Sequence, residues 1–249
     1  MRQPNKMRQK LKARKPVAVL SGVYNADMVE FVGQFGLDGV WLEGEHGPVD
    51  WDEIGDLTRA CDLWDMASIM RIAVGEPWVI TRTLDRGASG FVVPHVSTKA
   101  YAQQIVQAAR FAPLGLRGMY GGRRSYGTSD YYNQANDEVV VVVLIEEIEA
   151  VRNLSEILTV EGVDVFFLAP SDLAQTMGKI GRHTDPEVQS TIDDAIKRIV
   201  DAGRTAGTLV SDQNLERYLE LGATFTMGSW LPWVAAGAKA YQATVDKRG

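Results

Sequence analysis

The stretch VVVVVLIE (residues 139–146) decides the fold class. Its seven apolar residues show no alternation with polar ones, so both faces of the segment must be buried. Strands with two buried faces are typical of parallel sheets that are covered by helices. The stretch therefore predicts an α/β protein in which Glu146 marks the carboxyl end of a parallel strand.

Seven more segments of similar character lie on both sides of this stretch, and each is followed by a helical pattern. They lie at 16–22, 39–44, 67–73, 90–96, 163–170, 204–211 and 224–229. Four glycines suited to a left-handed helix cap precede the next strand: Gly36, Gly87, Gly203 and Gly222. Eight such units in 249 residues predict a (β/α)₈ barrel, with residues 1–249 as a single domain. The alternative is a doubly wound sheet, but SGVYNAD after the first strand is not its Gly-rich phosphate turn.

Composition narrows the kinds of function. The formal net charge of −6 argues against a surface for nucleic acid or an anionic membrane. The basic stretch MRQPNKMRQKLKARK lacks the apolar run of a signal peptide, and no segment approaches the ~20 apolar residues of a membrane span. We therefore expect a cytoplasmic protein whose partners are small molecules or copies of itself. Cys61 is the single cysteine, which excludes an intrachain disulfide and favours a packing role.

A long irregular segment (112–138) separates the fourth helix from the fifth strand and contains LGLRGMYGGRRSYG. Loops of this length without clear structure are usually functional or mobile. Glycines and arginines among apolar and aromatic residues favour an oxyanion-binding or subunit-contact loop. A solvated excursion at the bottom or flank of the barrel is the alternative.

Polar residues gather at the carboxyl ends of the predicted strands, where barrel enzymes carry their catalytic groups. They are Glu43, Glu45, His46, Arg71, His95, Glu146, Glu147 and Asp172. Arg71 would be costly to bury without a facing carboxylate or anionic ligand. Glu146 and Asp172 follow neighbouring strands, and two converging carboxylates need a shared proton or a divalent cation. Oxygen ligands favour Mg²⁺ or Mn²⁺, and a softer ion such as Co²⁺ is the alternative.

Each of these residues also has a structural interpretation when it is considered alone. Glu146 or Asp172 could cap a helix, Arg71 could pair with Glu43, and His95 could be a hydrogen-bonded core histidine. A purely structural barrel has little reason to gather a cation, a histidine and several carboxylates at one mouth. The set as a whole therefore favours an active site.

Several segments resemble the HpcH/HpaI aldolases, the metal-dependent class II pyruvate aldolases. This family includes 2,4-dihydroxyhept-2-ene-1,7-dioate aldolase and 2-dehydro-3-deoxyglucarate aldolase. The similar segments are EGEHGP, IMRI, APLGLRG, YNQAND, LIEEIEAV, EGVDVFFLAPSDLA and LELGATF. They span nearly the whole chain in the same order.

The resemblance implies a (β/α)₈ barrel that assembles as a hexamer and holds a divalent metal through Glu146 and Asp172. It also implies catalytic roles for His46 and Arg71, with Asp85 in TLDRG as the partner of the histidine. A 2-oxo acid such as pyruvate or oxaloacetate would bind with an aldehyde, and Ser171 and Asp172 would offer backbone N–H groups to its carboxylate. The implied activity is cleavage or formation of 4-hydroxy-2-oxo acids through a pyruvate enolate.

The chain departs from the pattern of the family in four places. Glu43 replaces an aspartate, Leu144 replaces a glutamine, the segment APSD (residues 169–172) replaces Gly-Pro-Ala-Asp, and GSWLPWVAAG replaces a more polar segment after the eighth strand. Trp230 is predicted to bind substrate as the wall of an apolar acceptor pocket. Packing of Trp230 and Trp233 against a neighbouring subunit is the alternative.

Three other functions are compatible with these residues. The same enolate chemistry would serve an oxaloacetate decarboxylase or a macrophomate synthase-like reaction. From a different class, the chain could be a metal-free, non-catalytic binding barrel.

Overall fold

A computed structural model describes residues 4–248, so the first three residues and the last residue of the predicted 1–249 domain lie outside the described residues. Within this range eight parallel strands form a closed barrel, in which β8 pairs with β1. The strands are β1 (Val17–Ser21), β2 (Gly39–Glu43), β3 (Ala67–Arg71), β4 (Gly90–Val93), β5 (Val140–Ile145), β6 (Val165–Leu168), β7 (Ala206–Leu209) and β8 (Ala223–Ser229). The predicted (β/α)₈ fold is confirmed.

Most helices follow a strand and pack on the outside of the barrel. The helices are α1 (Lys6–Lys12), α2 (Ala26–Gly33), α3 (Trp51–Leu63), α4 (Pro77–Asp85), α5 (Lys99–Ala109), α6 (Tyr131–Glu138), α7 (Ile148–Arg152), α8 (Leu154–Ile157), α9 (Pro170–Thr176), α10 (Pro186–Asp201), α11 (Leu215–Glu220) and α12 (Leu231–Asp246). Among residues 4–248, no helix has both the length and the apolar character that crossing a membrane requires.

Alternate residues of each strand point into the barrel and fill it. Trp41, Leu144 and Phe167 belong to one buried cluster inside the barrel, and the Trp41 and Phe167 rings lie 5.2 Å apart. The intervening residues pack outward against the helices, and Cys61 of α3 lies in this outer cluster. Burial raises the pKa of the Cys61 thiol well above its ordinary value, which agrees with a packing role. Because the interior is packed, it leaves no central channel, and the carboxyl end of the strands is the expected place for a ligand site of the barrel.

The helix α1 closes the amino end of the barrel. Met7 and Leu11 are buried in the same cluster as the barrel interior. Arg8 Nη2 lies 3.1 Å from one carboxylate oxygen of Asp164, and Arg110 Nη2 lies 3.1 Å from the other. The basic amino-terminal stretch is therefore the floor of the barrel. The charge of this stretch alone does not predict that role.

The irregular segment between α5 and β5 packs beneath α3 and α4. Arg124 donates to the Gly87 carbonyl oxygen at 2.6 Å and to Asp62 at 3.1 Å. Arg117 pairs with Asp85 at 2.8 Å, and the Arg117 side chain is almost completely buried. Carboxylates and carbonyls of the same chain thus engage these two arginines, so this part of the segment is not a solvated excursion.

Within the described part of the chain, α12 differs from the other long helices because it buries none of its residues. Trp233 is 49% exposed, Tyr241 is 72% exposed and Val245 is 48% exposed. By contrast, α10 buries five apolar residues against the barrel. The helix α12 therefore presents an uncovered apolar surface.

Candidate active site

The carboxyl ends of the strands bring most of the predicted polar residues to one face of the barrel. Glu43 and Arg71 end β2 and β3 and are direct neighbours across the two strands. Glu146 follows β5, and Asp172 lies in the first turn of α9, directly after β6. All strand ends of a closed parallel barrel meet at the same mouth, so these four residues face one volume.

Arg71 is held by two carboxylates at this mouth. Its Nε donates to Glu43 Oε2 at 2.7 Å, and its Nη1 lies 3.0 Å from Glu45 Oε2. All three side chains are largely buried, which strengthens the attraction because water screens it little. The two carboxylates hold the guanidinium plane in one orientation while Arg71 still lines a cavity.

Glu43 also fixes the loop that carries His46. One oxygen of its carboxylate accepts the backbone N–H of Glu45 at 2.8 Å and that of His46 at 2.9 Å. Burial works to raise the pKa of Glu43, but the His46 N–H and Arg71 outweigh it and hold that pKa below its ordinary value. The second oxygen binds Arg71 and the Trp41 indole N–H, so one side chain organises both the loop and the guanidinium.

His46 and Asp85 do not meet within one chain. The prediction that they form a pair is therefore wrong for two residues of the same chain. The His46 ring is largely exposed, and its Nε2 lies 3.9 Å from Glu45. Asp85 is the last residue of α4, a helix that starts at the mouth after β3 and runs back toward the amino end of the barrel. There it pairs with Arg117. The physical reason is that a helix after a strand carries its final residue to the opposite face.

Glu146 is a buried carboxylate at the mouth. Its side chain is 2% exposed, and its Oε1 accepts the backbone N–H of His95 at 2.6 Å. Burial raises the pKa of Glu146, and the negative charges of Asp172 and Glu45 raise it further, whereas contacts with His95 lower it. A buried carboxylate that faces other carboxylates favours a proton or a cation nearby.

Asp172 and Ser171 occupy the first turn of α9. The first hydrogen bond of that helix is donated by Leu173 to Ala169. The N–H groups of Ser171 and Asp172 therefore have no acceptor within the helix, as at any helix start. Pro170 at the first position sets the backbone for this turn.

Two cavities open at the mouth, and both are lined by Ser171 and Asp172. The first measures about 320 Å³ and lies over the packed interior. Its other lining residues include Tyr24, Trp41, Arg71, Leu144, Phe167, Leu209 and Leu231. The second measures about 440 Å³ and is lined by His95, Glu146, Glu147, Gln175 and Thr176 among others. A molecule bound at Asp172 can therefore contact both.

The donor set suits a divalent cation that substrate or water completes. In residues 4–248 no trio of histidine, cysteine, aspartate or glutamate side chains is spaced to hold a metal ion alone. Glu146 and Asp172 offer two oxygen donors in one cavity, and the charge of Asp172 raises the pKa of Glu146. Mg²⁺ and Mn²⁺ accept sites in which the protein supplies only one or two carboxylate oxygens and leaves the other coordination positions to water or substrate.

Trp230 packs at the rim of the barrel. Its indole N–H donates to the Gly22 carbonyl oxygen at 2.8 Å, while Leu231 is the neighbouring residue that lines the first cavity. Trp233 donates from its indole N–H to Asp212 at 3.0 Å. Trp230 is therefore not among the residues that line the first cavity, and the substrate contact predicted for it is not seen there.

Sequence reasoning missed Trp41 and Phe167 as the cavity floor. Both side chains belong to the packed interior and also line the first cavity. The alternation within GVWLEG carried a signal, since Trp41 and Glu43 are two residues apart and share a face. The left-handed backbone of His95, with φ of 57°, had no signal in the sequence.

The sequence of this chain matches a known protein family. A family profile described as HpcH/HpaI aldolase/citrate lyase matches residues 19–229. This match begins in β1 and ends with β8, so it contains Glu43, Arg71, Glu146 and Asp172.

Named relatives agree with this match. The chain is 39% identical over 227 residues to a hydroxypyruvate/pyruvate aldolase of Agrobacterium fabrum, covering 89% of this chain and 85% of that protein. It is 36% identical over 246 residues to a 4-hydroxy-2-oxo-heptane-1,7-dioate aldolase of Klebsiella pneumoniae, covering 96% and 93%. A solved HpcH/HpaI aldolase/citrate lyase family protein from Burkholderia cenocepacia superposes with a TM-score of 0.90 at 28% identity, covering 98% of this chain and all of the other.

Proposed function

The chain belongs to the HpcH/HpaI aldolase/citrate lyase family, and from this premise we propose that it is a divalent-metal-dependent aldolase. It is a carbon–carbon lyase that cleaves or forms 4-hydroxy-2-oxo acids, with pyruvate as the 2-oxo acid and an aldehyde as the second partner. Aldolases among its relatives support this activity.

One observation carries the proposal for the site. Arg71, held by Glu43 and Glu45, faces the same mouth as the carboxylates Glu146 and Asp172. A 2-oxo acid needs a cation for its carboxylate and keto oxygens, and it needs a donor for the negative charge that develops when the C3 proton leaves. In neighbouring cavities the mouth offers Glu146 and Asp172, which could hold the cation, and Arg71, which could act as the donor.

The metal would be held by Glu146 and Asp172, and it would supply Lewis-acid chemistry that withdraws negative charge from the 2-oxo acid. Mg²⁺ or Mn²⁺ suits the two oxygen donors, with Co²⁺ as the softer alternative. The free N–H groups of Ser171 and Asp172 orient the substrate carboxylate.

Arg71 stabilises the charge on the keto oxygen as the enolate forms. Because this charge is present mainly in the transition state and intermediate, the contribution of Arg71 appears in turnover more than in binding. In the cleavage direction, His46 removes the proton of the 4-hydroxyl group. The C3–C4 bond then breaks, its electron pair remains on C3 as the enolate, and the aldehyde leaves. C3 takes up a proton from solvent to give pyruvate, and His46 returns its proton to solvent.

Asp85 can serve as the partner of His46 only from a second copy of the chain, and we propose that arrangement. Asp85 lines an outer cavity of about 580 Å³ between α3, α4 and the 112–130 segment. The uncovered apolar surface of α12 supports an assembly of identical chains. The hexamer implied by the family resemblance is the expected state.

Deuterium exchange at C3 of pyruvate tests the function before any acceptor aldehyde is known. We expect the purified chain to exchange the methyl protons of pyruvate in D₂O, followed by NMR. EDTA should abolish the exchange, and added Mn²⁺ should restore it. Exchange that is unaffected by EDTA would contradict metal dependence, and no exchange with any divalent metal would contradict the aldolase assignment.

Mixing of variants tests the shared site. His46→Ala and Asp85→Asn oligomers are each expected to lose aldol cleavage. When their subunits are exchanged, sites with both native residues should form in about a quarter of cases under random mixing. Recovery of about that share of the parent activity supports the arrangement. No recovery, with subunit exchange verified by native mass spectrometry, would contradict it.

A further inference from the structure

His95 has a backbone conformation that needs an explanation. Its φ is 57°, in the left-handed region that residues other than glycine seldom adopt. The residue follows β4 and lies at the second cavity, where its side chain is 59% exposed. Strained backbone of this kind persists when surrounding contacts hold it.

The backbone contact is a hydrogen bond to Glu146. The N–H of His95 donates to Glu146 Oε1 at 2.6 Å, and this bond joins the ends of β4 and β5. A short bond to a buried carboxylate is strong because the acceptor is charged and little screened. The left-handed turn thus directs one N–H group to one oxygen of Glu146.

The ring contacts involve the adjacent carboxylate as well. His95 Nδ1 lies 3.1 Å from Glu147 Oε1 and 3.3 Å from Glu146 Oε1. The other oxygen of Glu147 accepts the Ser97 hydroxyl at 2.5 Å. Both oxygens of Glu147 are therefore engaged by neighbours on the β4 side. The opposite ring nitrogen, Nε2, lies 3.7 Å from Glu45 Oε1.

We propose that His95 is a positioning residue that sorts two adjacent carboxylates: it presents Glu146 to the cation site and withholds Glu147 from it. This inference rests on the cation site of the proposed function. Two neighbouring glutamates at one mouth would otherwise compete for the same cation, and each would repel the other. With Nδ1 between them, Glu147 stays bound to Ser97 and His95 while Glu146 faces the cavity with Asp172.

Three substitutions separate the contacts of His95. His95→Asn keeps the left-handed backbone and places an amide nitrogen where Nδ1 was. His95→Gln instead places a nitrogen where Nε2 was, toward Glu45. His95→Gly keeps only the backbone N–H. Because glycine and asparagine both tolerate a positive φ, these two variants should fold.

Calorimetric titration of Mn²⁺ into the metal-free protein, without substrate, provides the measurement. We expect His95→Gly and His95→Gln to weaken Mn²⁺ binding about tenfold to a hundredfold, as loss of residues that orient metal ligands does. His95→Asn should bind Mn²⁺ within about threefold of the parent, because the contact at Nδ1 is retained. The proposal would be overturned if His95→Gly bound Mn²⁺ as tightly as the parent. It would also be overturned if His95→Gln kept the Mn²⁺ affinity of the parent while His95→Asn lost it.

A second comparison tests the sorting itself. In Glu147→Gln the competing charge is absent, so removal of the ring by His95→Gly should cost much less Mn²⁺ affinity than in the parent. Equal costs in the two backgrounds would overturn the sorting role. Glu146→Gln is titrated alongside: if it binds Mn²⁺ like the parent, the cation site of the proposed function fails, whereas loss there with parent affinity in His95→Gly defeats only the role of His95.

Discussion

Glu43 and Arg71, at the ends of neighbouring strands, form a direct ion pair in which Arg71 Nε donates to Glu43 Oε2 at 2.7 Å. Glu45 approaches Nη1 of the same guanidinium at 3.0 Å, so the fork of Arg71 is fixed from two sides. An ammonium group has no such planar fork and cannot reproduce this orientation. The pair therefore links the loop that carries His46 to the guanidinium group that lines the first cavity.

Arg71→Lys is expected to reduce C3 exchange of pyruvate by about 10²–10³-fold, the range seen when one donor to a developing oxyanion is lost. Affinity for Mn²⁺ in the absence of substrate should not change, because Arg71 is not among the oxygen donors. Rates of exchange by NMR and Mn²⁺ titration together check this. Arg152→Lys, at an exposed position on α7, is the matched control. A loss smaller than threefold would remove Arg71 from the enolate step.

Glu146→Gln and Asp172→Asn are each expected to weaken Mn²⁺ binding by at least about tenfold, because each removes an anionic oxygen donor. Glu149→Gln on α7 makes the same chemical change at an exposed position and should bind like the parent. Isothermal titration calorimetry measures all three. Unchanged affinity in both site variants would refute the proposed ligands.

Glu43 should stabilise the fold in a way that depends on pH. Its folded-state pKa lies below the ordinary value of 4.5, since the hydrogen bonds from His46 and Arg71 outweigh burial. The stabilisation is therefore fully present above that ordinary value and is lost as the pH falls through the lowered folded-state pKa.

The measurement for this effect compares thermal unfolding of the parent and of Glu43→Gln from about pH 7 to about pH 3.5. The parent should have the higher Tm near neutral pH, by the equivalent of about 1–3 kcal/mol for a lost charged hydrogen bond. The difference should shrink as the pH falls below about 4.5. Glu220→Gln, at an exposed position, should show no such difference. A gap in Tm that grows toward acid pH would reverse the sign and contradict the assignment.

Trp230→Phe is expected to lower the free energy of unfolding by about 1 kcal/mol, because the hydrogen bond to Gly22 is lost while an aromatic ring still packs there. The ratio of kcat/KM for an apolar and a hydroxylated acceptor aldehyde should stay the same, since Trp230 anchors the rim. Denaturant unfolding and acceptor kinetics test the two parts. A changed acceptor ratio at unchanged stability would return Trp230 to the substrate pocket.

The apolar side of α12 should control assembly. Val234, Tyr241 and Val245 recur at the spacing of one helix face, and all three are exposed. Tyr241→Asp combined with Val245→Asp should shift the protein to a smaller species in light scattering coupled to size exclusion. Lys239→Asp, on the opposite side of the helix, should leave the assembly intact. Dissociation of the control alone, or of neither protein, would exclude this face from the interface.

The barrel could be predicted because its evidence is local. Continuous apolar runs such as 139–146 indicate by their own composition that both faces are buried, and eight such strands form the closed parallel sheet. The strand-end rule likewise found Glu43, Arg71 and Glu146, because it needs only the position of each residue along its own strand.

Contacts between residues that helices and loops bring together from distant parts of the chain could not be predicted in the same way. Asp85 lies near Arg71 in sequence, yet α4 carries it to the amino end of the barrel. The backbone of His95 is left-handed in contact with a carboxylate 51 positions later, which no local pattern encodes. Met7 and Leu11 form an apolar face within a stretch whose most evident feature in the sequence is its positive charge.

The floor of the barrel has a consequence for biosynthesis. The helix α1 leaves the ribosome before any strand of the barrel, but its partner Asp164 is 156 positions away from Arg8. Until Asp164 has been translated, Arg8 lacks this partner, and closing so long a loop is slow. Docking of α1 is therefore a late event that seals an almost complete barrel. A nascent chain that stalls before β6 would expose this helix to chaperones, although every residue of the helix had been made long before.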